Sequence, residues 1–595
     1  MTRTEKLKAL VKLYKTLYWK YKFQMAVLSV LGIVSGFLSS LGIVIMIPLL
    51  AFAMRQNAGQ DSTVSMYVEK VFHYFNFEPS VKLLLIGVVA IFIFKAAVLS
   101  IFDYIGNVLS AKIGNEIRKD YYARTLNANW SYLADQKISH LDYAINIDIG
   151  TTLGLINKMY DSFINLTSFI AYAVTAFALS FYVTSLALAV GAVILYATKY
   201  MSGIMKHYAN KSGLLKRDMS HNLNETILGL KAIKTTHSER QAINIYADIN
   251  DRIKVFSLKL SKMKMYLSNP IEPLTVIFVA GIFAFAYKQP GFNFAAFLMI
   301  IYLIQRIFIY TDKFQATLGL WNNSLPAVER IMALSSVLDK NREKDTGRKD
   351  FKFEHSLEFQ SAAFAYASGT EVFKNLALKI KKGETAGIVG PSGSGKTTIA
   401  DLIIRLFPVS SGRILLDGDN IENFTLESWR KNIGYVSQDV FLKDGTIEEN
   451  IRFYDFSVAD KDIENGARSA NIYDFIRSLP DGFKTQVGDR GMALSTGQRQ
   501  RIALARVLSR HPQILILDEA TSSLDNESES LIKESIEKLR GAITIIIIAH
   551  RLTTVMGVDH LIALKDGQVV EEGDPKALLE DQNSYFHKVN MAATR

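Results

Sequence analysis

The segment 390–397 has the residue types and spacing of a phosphate-binding loop. It follows an apolar run at 385–389 and precedes a helical pattern at 399–407, which is the order of strand, loop and helix that such a loop requires. Its glycines let backbone N–H groups surround phosphate oxygens, and a lysine and a hydroxyl then supply positive charge and a Mg²⁺ ligand. The candidate nucleotide contacts here are Gly390, Pro391, Ser392, Gly393, Ser394, Gly395, Lys396, Thr397 and Thr398.

Two adjacent acids, Asp518 and Glu519, end a second apolar run at 514–517. Because α/β sheets bind ligands at the C-terminal ends of their strands, we expect both acids beside the phosphate loop. Asp518 is the candidate Mg²⁺ ligand. Glu519 is the candidate general base that polarises the water attacking the γ-phosphate. The predicted cofactors are therefore ATP and Mg²⁺.

Further motifs give the chain a resemblance to the ATP-binding cassette (ABC) family, exporter branch, over essentially its whole length. The segment 494–498, LSTGQ, resembles the family signature LSGGQ. The segment 487–491, VGDRG, resembles the short stretch that precedes the signature in exporters and contacts cytoplasmic loops. In this family the signature of one subunit closes over the phosphate loop of the other, so the resemblance implies a paired ATPase.

The resemblance also implies roles for single residues. Gln438 matches the glutamine that links Mg²⁺ and the attacking water to the membrane helices, and His550 matches the histidine that contacts the γ-phosphate. Tyr366 matches the aromatic residue that stacks on adenine, although a plain strand aromatic has the same pattern. The implied catalytic residues are Glu519, His550 and Gln438; the implied metal ligands are Thr397, Gln438 and Asp518; the remaining implied nucleotide contacts are Ser495, Thr496, Gly497, Gln498 and Asp525.

Thr496 departs from the family pattern, because it stands where the signature has its first glycine. A side chain at this position is expected to weaken the close approach of nucleotide to the backbone. With Glu519 and His550 intact, we still expect hydrolysis. The preferred assembly is a homodimer, and the alternative is a heterodimer in which this signature serves a degenerate site.

The composition points to the membrane as the main partner. Of 595 residues, 49% are hydrophobic and 21% are charged, and the net charge is +11. Cations collect at the cytoplasmic flanks of membrane helices, so this charge favours membrane lipid over nucleic acid. The absence of cysteine excludes disulfides, thiolate metal sites and a cysteine nucleophile.

The fold class predicted from these patterns is a membrane α-helical domain of six transmembrane helices, of the ABC exporter type, fused to an α/β P-loop NTPase domain. Tight hairpins are predicted at 184–185 and 288–291. The six predicted spans are 23–54, 83–109, 163–183, 186–204, 271–287 and 294–310.

The predicted organisation follows from these spans. The two long loops between spans, 110–162 and 205–270, are rich in lysine and arginine, which places them and the N-terminus in the cytoplasm. Both loops retain helical periodicity, so they are expected to be extensions of the membrane helices. A bacterial inner or plasma membrane is the expected location, with the ATPase domain in the cytoplasm. The predicted segments are an amphipathic elbow helix at 1–22, a transmembrane domain at 23–336 with coupling loops at 110–162 and 205–270, a linker at 337–350, and a nucleotide-binding domain at 351–595.

Two cations interrupt the apolar runs, Lys95 in the second and Arg306 in the sixth. An ionisable side chain at such depth is costly in lipid, so both are expected to face protein or water. One interpretation pairs them internally, for example with Asp103 or Glu272, or lets them reach an interface. The other makes them substrate contacts that hold an anionic headgroup, for which arginine offers bidentate geometry.

The function predicted from the whole sequence is ATP-driven export of an amphipathic substrate by alternating access, with a second copy as partner. The substrate class stays open among lipid, lipid-linked glycan, peptide and drug. The phrase IVIMIPLLAFA at 43–53 resembles flippases of lipid-linked glycans more weakly than the cassette motifs resemble the family. The alternatives are an ATP-gated channel or regulator on the same scaffold, and one half of a heterodimeric multidrug or peptide exporter.

Overall fold

The computed structural model describes residues 19–53, 80–287, 294–366, 369–521, 524–549 and 552–593. The chain divides into two compact units. The N-terminal unit comprises Met1–Ala128 and Asp135–Arg342, and the C-terminal unit comprises Asn129–Ala134 and Glu343–Arg595. Most of the predicted elbow helix at 1–22 and the predicted turn at 288–291 lie outside the described residues.

Long helices make up the first part of the chain, and within the described residues five of the six predicted apolar runs each follow a single helix to within one residue. The run predicted at 163–183 crosses from the helix Ile149–Leu179 into the helix Phe181–Leu228. A π-helical turn, Ala144–Asp148, joins two of the helices. The helices up to residue 342 are α1 Lys22–Ala53, α2 Val81–Leu126, α3 Trp130–Ala134, α4 Ile138–Tyr143, α5 Ile149–Leu179, α6 Phe181–Leu228, α7 Leu230–Thr235, α8 Glu239–Ser268, α9 Ile271–Ala286 and α10 Phe294–Lys340.

Length and hydropathy identify membrane-spanning candidates among these helices. Four segments of the described chain qualify, and a fifth, Phe181–Ala197, is a shorter apolar helix. The sixth predicted run begins α10. The four qualifying segments are Lys22–Met46, Val81–Leu126, Ser139–Leu179 and Glu239–Ala286.

Helices α2, α5, α6 and α10 continue well beyond the length needed to span a bilayer. Ion pairs join these extensions to one another. Arg330 Nε and Nη2 donate to the carboxylate of buried Asp148 at 2.8 and 2.5 Å, and Lys206 pairs with Glu329 at 2.7 Å. A two-point hydrogen-bonded contact of this kind fixes the relative rotation of two helices as well as their distance.

Two sequence expectations about boundaries need correction. The hairpin was expected at 184–185, but the break between α5 and α6 lies at Ser180, which has an extended backbone. Thr184 already belongs to α6, and its Oγ1 donates to the Ser180 carbonyl. Helix α10 runs to Lys340, past the expected boundary at 336. The charged segment from Glu343 onward belongs to the C-terminal unit, where both guanidinium Nη atoms of Arg430 donate to Glu343.

The C-terminal unit is built on two sheets. The smaller sheet is antiparallel in the order β2-β1-β4-β5, and the larger has the order β10-β9-β3-β8-β7-β6, in which only β10 is antiparallel to its neighbour. The strands are β1 Ser356–Ala365, β2 Glu371–Lys381, β3 Thr385–Val389, β4 Ser411–Leu416, β5 Asp419–Asn420, β6 Ile433–Val436, β7 Ile514–Asp518, β8 Thr544–Ile548, β9 His560–Lys565 and β10 Gln568–Gly573.

Both faces of the larger sheet are covered by helices and strands. Along β7, Ile514 and Ile516 join one apolar cluster while Leu515 and Leu517 join the other, so every residue of the strand is buried. Two-sided burial explains why these strands read as continuous apolar runs. The helices of this unit are α11 Lys396–Ile403, α12 Leu426–Lys431, α13 Ile447–Arg452, α14 Asp460–Ser469, α15 Tyr473–Ser478, α16 Thr496–Leu508, α17 Asn526–Leu539, α18 Leu552–Val555, α19 Pro575–Glu580 and α20 Tyr585–Ala593.

Candidate nucleotide-binding site

The glycine-rich segment forms a loop between buried β3 and the first turn of α11. Gly395 caps α11 with φ of 98°, a conformation that favours glycine, and a Cβ there would lie 2.5 Å from Phe373 Cζ. Ser394 is buried, and within the described residues its Oγ has no hydrogen-bond partner. A buried hydroxyl without a described partner, in a glycine-rich loop at a helix N-terminus, fits a site for phosphate oxygens.

Lys396 folds back over this loop. Its Nζ donates to the carbonyls of Gly390 and Pro391, at 3.0 Å each. Burial lowers the pKa of Lys396, and the neighbouring charges of Glu519 and Asp518 oppose that effect. The lysine is thus held at the phosphate loop with two carboxylates nearby.

Asp518 ends β7 directly opposite the phosphate loop. Thr397 Oγ1 lies 3.4 Å from Asp518 Oδ1, and Tyr435 OH donates to Asp518 Oδ2 at 3.2 Å. Burial raises the pKa of Asp518, while the hydrogen bonds from Thr397 and Tyr435 lower it. Asp518 thus lies at the C-terminal end of its strand and beside the phosphate loop. Its role as a Mg²⁺ ligand stays a prediction.

Glu519 follows Asp518 with a backbone φ of 50°, in the left-handed region that a non-glycine residue seldom adopts. Its N–H donates to the carbonyl of Ile548, at the end of the neighbouring strand β8, at 2.9 Å. Unfavourable backbone geometry of this kind persists where surrounding structure enforces it, and it concentrates at functional sites. The hydrogen bond to the end of β8 therefore fixes the backbone of Glu519, the candidate general base, at the C-terminal ends of the strands.

Tyr366 lies just after β1 and reaches the phosphate-loop helix. Its hydroxyl is 3.0 Å from Thr398 Oγ1, and its ring meets Phe407 and Phe364 edge to face. The sequence did not predict this tether to α11. Stacking of Tyr366 on adenine stays a prediction.

The signature segment begins helix α16. Ser495 is its N-cap, and a capping box joins it to Gln498: Ser495 Oγ accepts from Gln498 N, and Gln498 Oε1 accepts from Ser495 N at 2.9 Å. Thr496 is exposed, and its hydroxyl accepts from Arg499 Nη2 at 3.1 Å. Gly497 is buried, and a Cβ there would overlap Ser528. Packing within this chain therefore requires the second glycine of the signature, Gly497, whereas the position of the first glycine accommodates Thr496.

The other predicted residues that the structure describes lie just after β6 and just before α17 and α16. Gln438 is exposed two residues after β6, and Asp525 caps α17 by accepting from Ser528 N. His550 lies outside the described residues. The segment 487–491 lies just before α16 and includes Arg490 in the left-handed region.

Sequence reasoning missed two residues around Asp518. Tyr435, on β6, donates the hydrogen bond described above, and Asp401 lies one helical turn beyond Thr397 on α11. Burial, followed by the charge of Asp518, raises the pKa of Asp401 to about 6. The i, i+4 spacing from Thr397 to Asp401 is the signal that could have revealed the second of these residues.

The cations of the apolar helices have no acidic partner within the described residues. Arg306 Nε and Nη2 donate to Tyr302 OH one turn away, at 2.9 and 2.6 Å. Lys95 lies near Phe92, and it is close enough to Arg306 and Lys313 to interact with their like charges. The internal pairing expected with Asp103 or Glu272 is not formed.

Comparison with known proteins identifies both parts of the chain. Residues 25–309 match the family described as ABC transporter transmembrane region, and residues 373–522 match the family described as ABC transporter. An ATP-dependent lipid A-core flippase of Albidiferax ferrireducens is 31% identical over 85% of this chain and 88% of its own length. The same-named protein of Syntrophus aciditrophicus is 30% identical, over 81% and 82% respectively.

A solved structure shares the fold. A bacterial Atm1-family ABC exporter with ATP bound matches with a TM-score of 0.80 at 21% identity, covering 95% of this chain and 97% of that one. The predicted fold class is confirmed: a helical transmembrane domain is fused to a nucleotide-binding domain. The chain belongs to the ABC transporter family and is a membrane protein of the exporter type whose ATPase activity is coupled to transport.

Proposed function

We propose that this chain, paired with a second copy, exports an amphipathic anion from the cytoplasmic side of a bacterial cell membrane. ATP closes the two cassettes, and hydrolysis resets them. The substrate class rests on one observation: Lys95 and Arg306, in the apolar helices, have no acidic partner in the part of the chain that the structure describes. The relatives named as lipid A-core flippases support an amphipathic substrate.

The hydrolytic step uses residues that lie at one sheet edge. Lys396 and the backbone donors around Gly393 and Gly395 hold the phosphates, and Glu519 accepts the proton of the attacking water. Gln438 and His550 complete the site as the family resemblance implies. Tyr366 orients the base of the nucleotide.

The oxygens of Thr397 and Asp518 fit Mg²⁺. A hydroxyl and a carboxylate 3.4 Å apart are hard oxygen donors of the kind that Mg²⁺ prefers. The exposed amide of Gln438 is the third proposed ligand. The ion would neutralise charge on the β- and γ-phosphates.

Pairing rests on the exposed end of α16. Ser495 and Thr496 lie on the surface, so the start of this helix is accessible to a nucleotide held by another subunit. Thr496 contacts Arg499 of its own helix without crowding the backbone, which favours a homodimer over a partner with a different signature. Activity of the purified chain alone tests this point; activity that appears only with a second gene product would establish the heterodimer.

Tyrosine side chains surround Arg306, one of the two cations proposed to bind the substrate. Arg306 bonds to Tyr302, and the rings of Tyr172 and Tyr310 lie 5.5 Å apart beside the same helix. Among the described residues the Arg306 guanidinium bonds to a neutral hydroxyl and to no carboxylate, so its charge is not compensated there and an anionic group gains from approaching it. Tyrosine and aliphatic side chains nearby suit the apolar part of such a molecule.

The test compares basal with substrate-stimulated ATPase in liposomes. Lys95→Met and Arg306→Met are each measured with anionic lipid-linked sugars and with cationic dyes, and Lys82→Gln, an exposed lysine at the start of α2, is the matched control. We expect stimulation by the anion to fall while basal activity and melting temperature hold, with the control unchanged. Stimulation equal to that of the parent in both variants would refute the anion-binding role.

A further inference from the structure

The C-terminal half of α8 carries an unusual charge pattern next to a membrane span. From 252 to 271 the sequence has no acidic residue, and α9 begins the apolar run at Ile271. All five cations of this stretch are exposed, and none forms an ion pair with a described residue. These cations are Arg252, Lys254, Lys259, Lys262 and Lys264.

One face of this helix is already used for packing. Residues 253, 256, 260, 263 and 267, spaced three or four apart, are buried or half-buried. Phe256 meets Tyr208 of α6 with ring centroids 5.8 Å apart. The remaining face is exposed, and its contact with the described chain is at the border, where Lys259 Nζ lies 5.2 Å from the centroid of the Tyr208 ring of α6.

That free face mixes cations with large apolar side chains. Leu258 is 53% exposed and Tyr266 is 66% exposed, and Val255 and Met265 are exposed beside them. Lys262 is exposed on the same face, and Lys259 is exposed at its border with Nζ over the Tyr208 ring. We call the set of Val255, Leu258, Lys259, Lys262, Met265 and Tyr266 the basic face of α8.

We propose that the basic face of α8 binds anionic lipid headgroups of the leaflet that meets the start of α9. At ~1.5 Å per residue, Tyr266 and Lys262 lie roughly 8 and 13 Å before Ile271. The headgroup layer on each side is about 5–8 Å thick, and charges act over a further ~8–10 Å. Both residues therefore lie within reach of the headgroups.

Charge selects lipid over a second copy as the occupant. A face carrying only cations repels its own copy across a twofold axis, unless acids of another surface oppose it. An anionic leaflet attracts each lysine near its surface and accepts tyrosine and methionine at the boundary of the hydrocarbon. The mixed basic and apolar character matches a helix lying against a lipid interface.

The test uses the absence of cysteine from this sequence. A single fluorophore at Ser261→Cys, exposed on α8 between two of the lysines, reports lipid contact in nanodiscs of the full chain. Quenching is measured with doxyl-labelled phosphatidylglycerol and with doxyl-labelled phosphatidylcholine at equal mole fraction. A label at Gln241→Cys, about 30 Å away in the first turn of α8, is the positional control.

We expect stronger quenching by phosphatidylglycerol at Ser261→Cys only. In the K259Q/K262Q/K264Q background the affinity for this lipid should fall by about fivefold per lysine removed, and 1 M salt should abolish the preference. The charge-matched K216Q/K231Q/R240Q background, in exposed cations away from α9, should keep it. Equal quenching by the two lipids, or none by either because a second copy covers the face, would overturn the proposal.

Discussion

Asp401→Asn tests the electrostatics of the nucleotide site most directly. The Asp401 carboxylate is partly buried, it makes no hydrogen bond or ion pair with any described residue, and its pKa is raised from 3.8 to about 6. Burial is the larger cause and the charge of Asp518 the smaller. The asparagine side chain keeps the size of the original and removes its charge.

The sign of the effect follows from the direction of this change. A carboxyl whose folded-state pKa exceeds its unfolded value binds its proton more tightly when folded, so its ionised form destabilises the fold. That cost is fully present above about pH 6 and disappears as the pH falls towards 4. Without solvent screening, a rise of the pKa from 3.8 to about 6 corresponds to a cost of ~3 kcal/mol. Solvent screening of this partly exposed carboxylate reduces it to about 1–2 kcal/mol.

The assay is the melting transition of the ATP-binding unit in the full purified chain. At pH 7.5 we expect Asp401→Asn to raise the melting temperature by roughly 2–8 °C, the range for a domain of this size. At pH 4.5 most of that gain should be lost. Asp481→Asn, at an exposed carboxylate, is the control and should change little. If the gain in melting temperature is equal at both pH values, or absent at pH 7.5, then the ionised Asp401 carboxylate does not destabilise the folded state.

Three further predictions concern other parts of the chain. Glu519→Gln should keep ATP binding and lower hydrolysis by about 10²-fold or more, since the amide cannot accept a proton; turnover within tenfold of the parent would mean that another group is the base. Thr496→Gly should leave ATPase activity unchanged or raise it, whereas Gly497→Ala should lower both activity and melting temperature because its Cβ meets Ser528. Arg330→Met should destabilise the N-terminal unit by about 3–5 kcal/mol by leaving Asp148 buried without its partner, and adding Asp148→Asn should restore much of the melting temperature if the loss is electrostatic.

The sequence predicted the phosphate loop well because each of its signals is local. Strand β3 has the predicted bounds, and α11 starts at Lys396 as the motif requires. The predicted end of that helix at 407 is wrong. Helix α11 ends at Ile403, and Arg405 adopts the left-handed region with φ of 59°. Apolar residues beyond the helix, such as Phe407, are partly buried by tertiary packing, which a helical pattern does not distinguish from continuation of the helix.

The sequence pattern did not predict contacts between residues that lie far apart in the chain. Asp148 and Arg330 are 182 residues apart, and neither belongs to a motif, yet they form the two-point contact between α10 and the π-helical turn before α5. Tyr435 and Asp518 meet because β6 and β7 pair in parallel register. Such pairs depend on strand order and helix packing, which a single sequence does not determine.

Thr496 shows how the structure changes a prediction without testing it. The sequence expectation treated any side chain in place of the first signature glycine as an obstacle to nucleotide. In the folded chain, however, Thr496 begins α16 with its side chain exposed and turned onto Arg499 of the next turn. The residue that packing forbids from having a side chain is Gly497. Fit within one subunit therefore gives no reason for a degenerate site, and any cost of Thr496 must arise where the exposed start of α16 meets nucleotide across the pair.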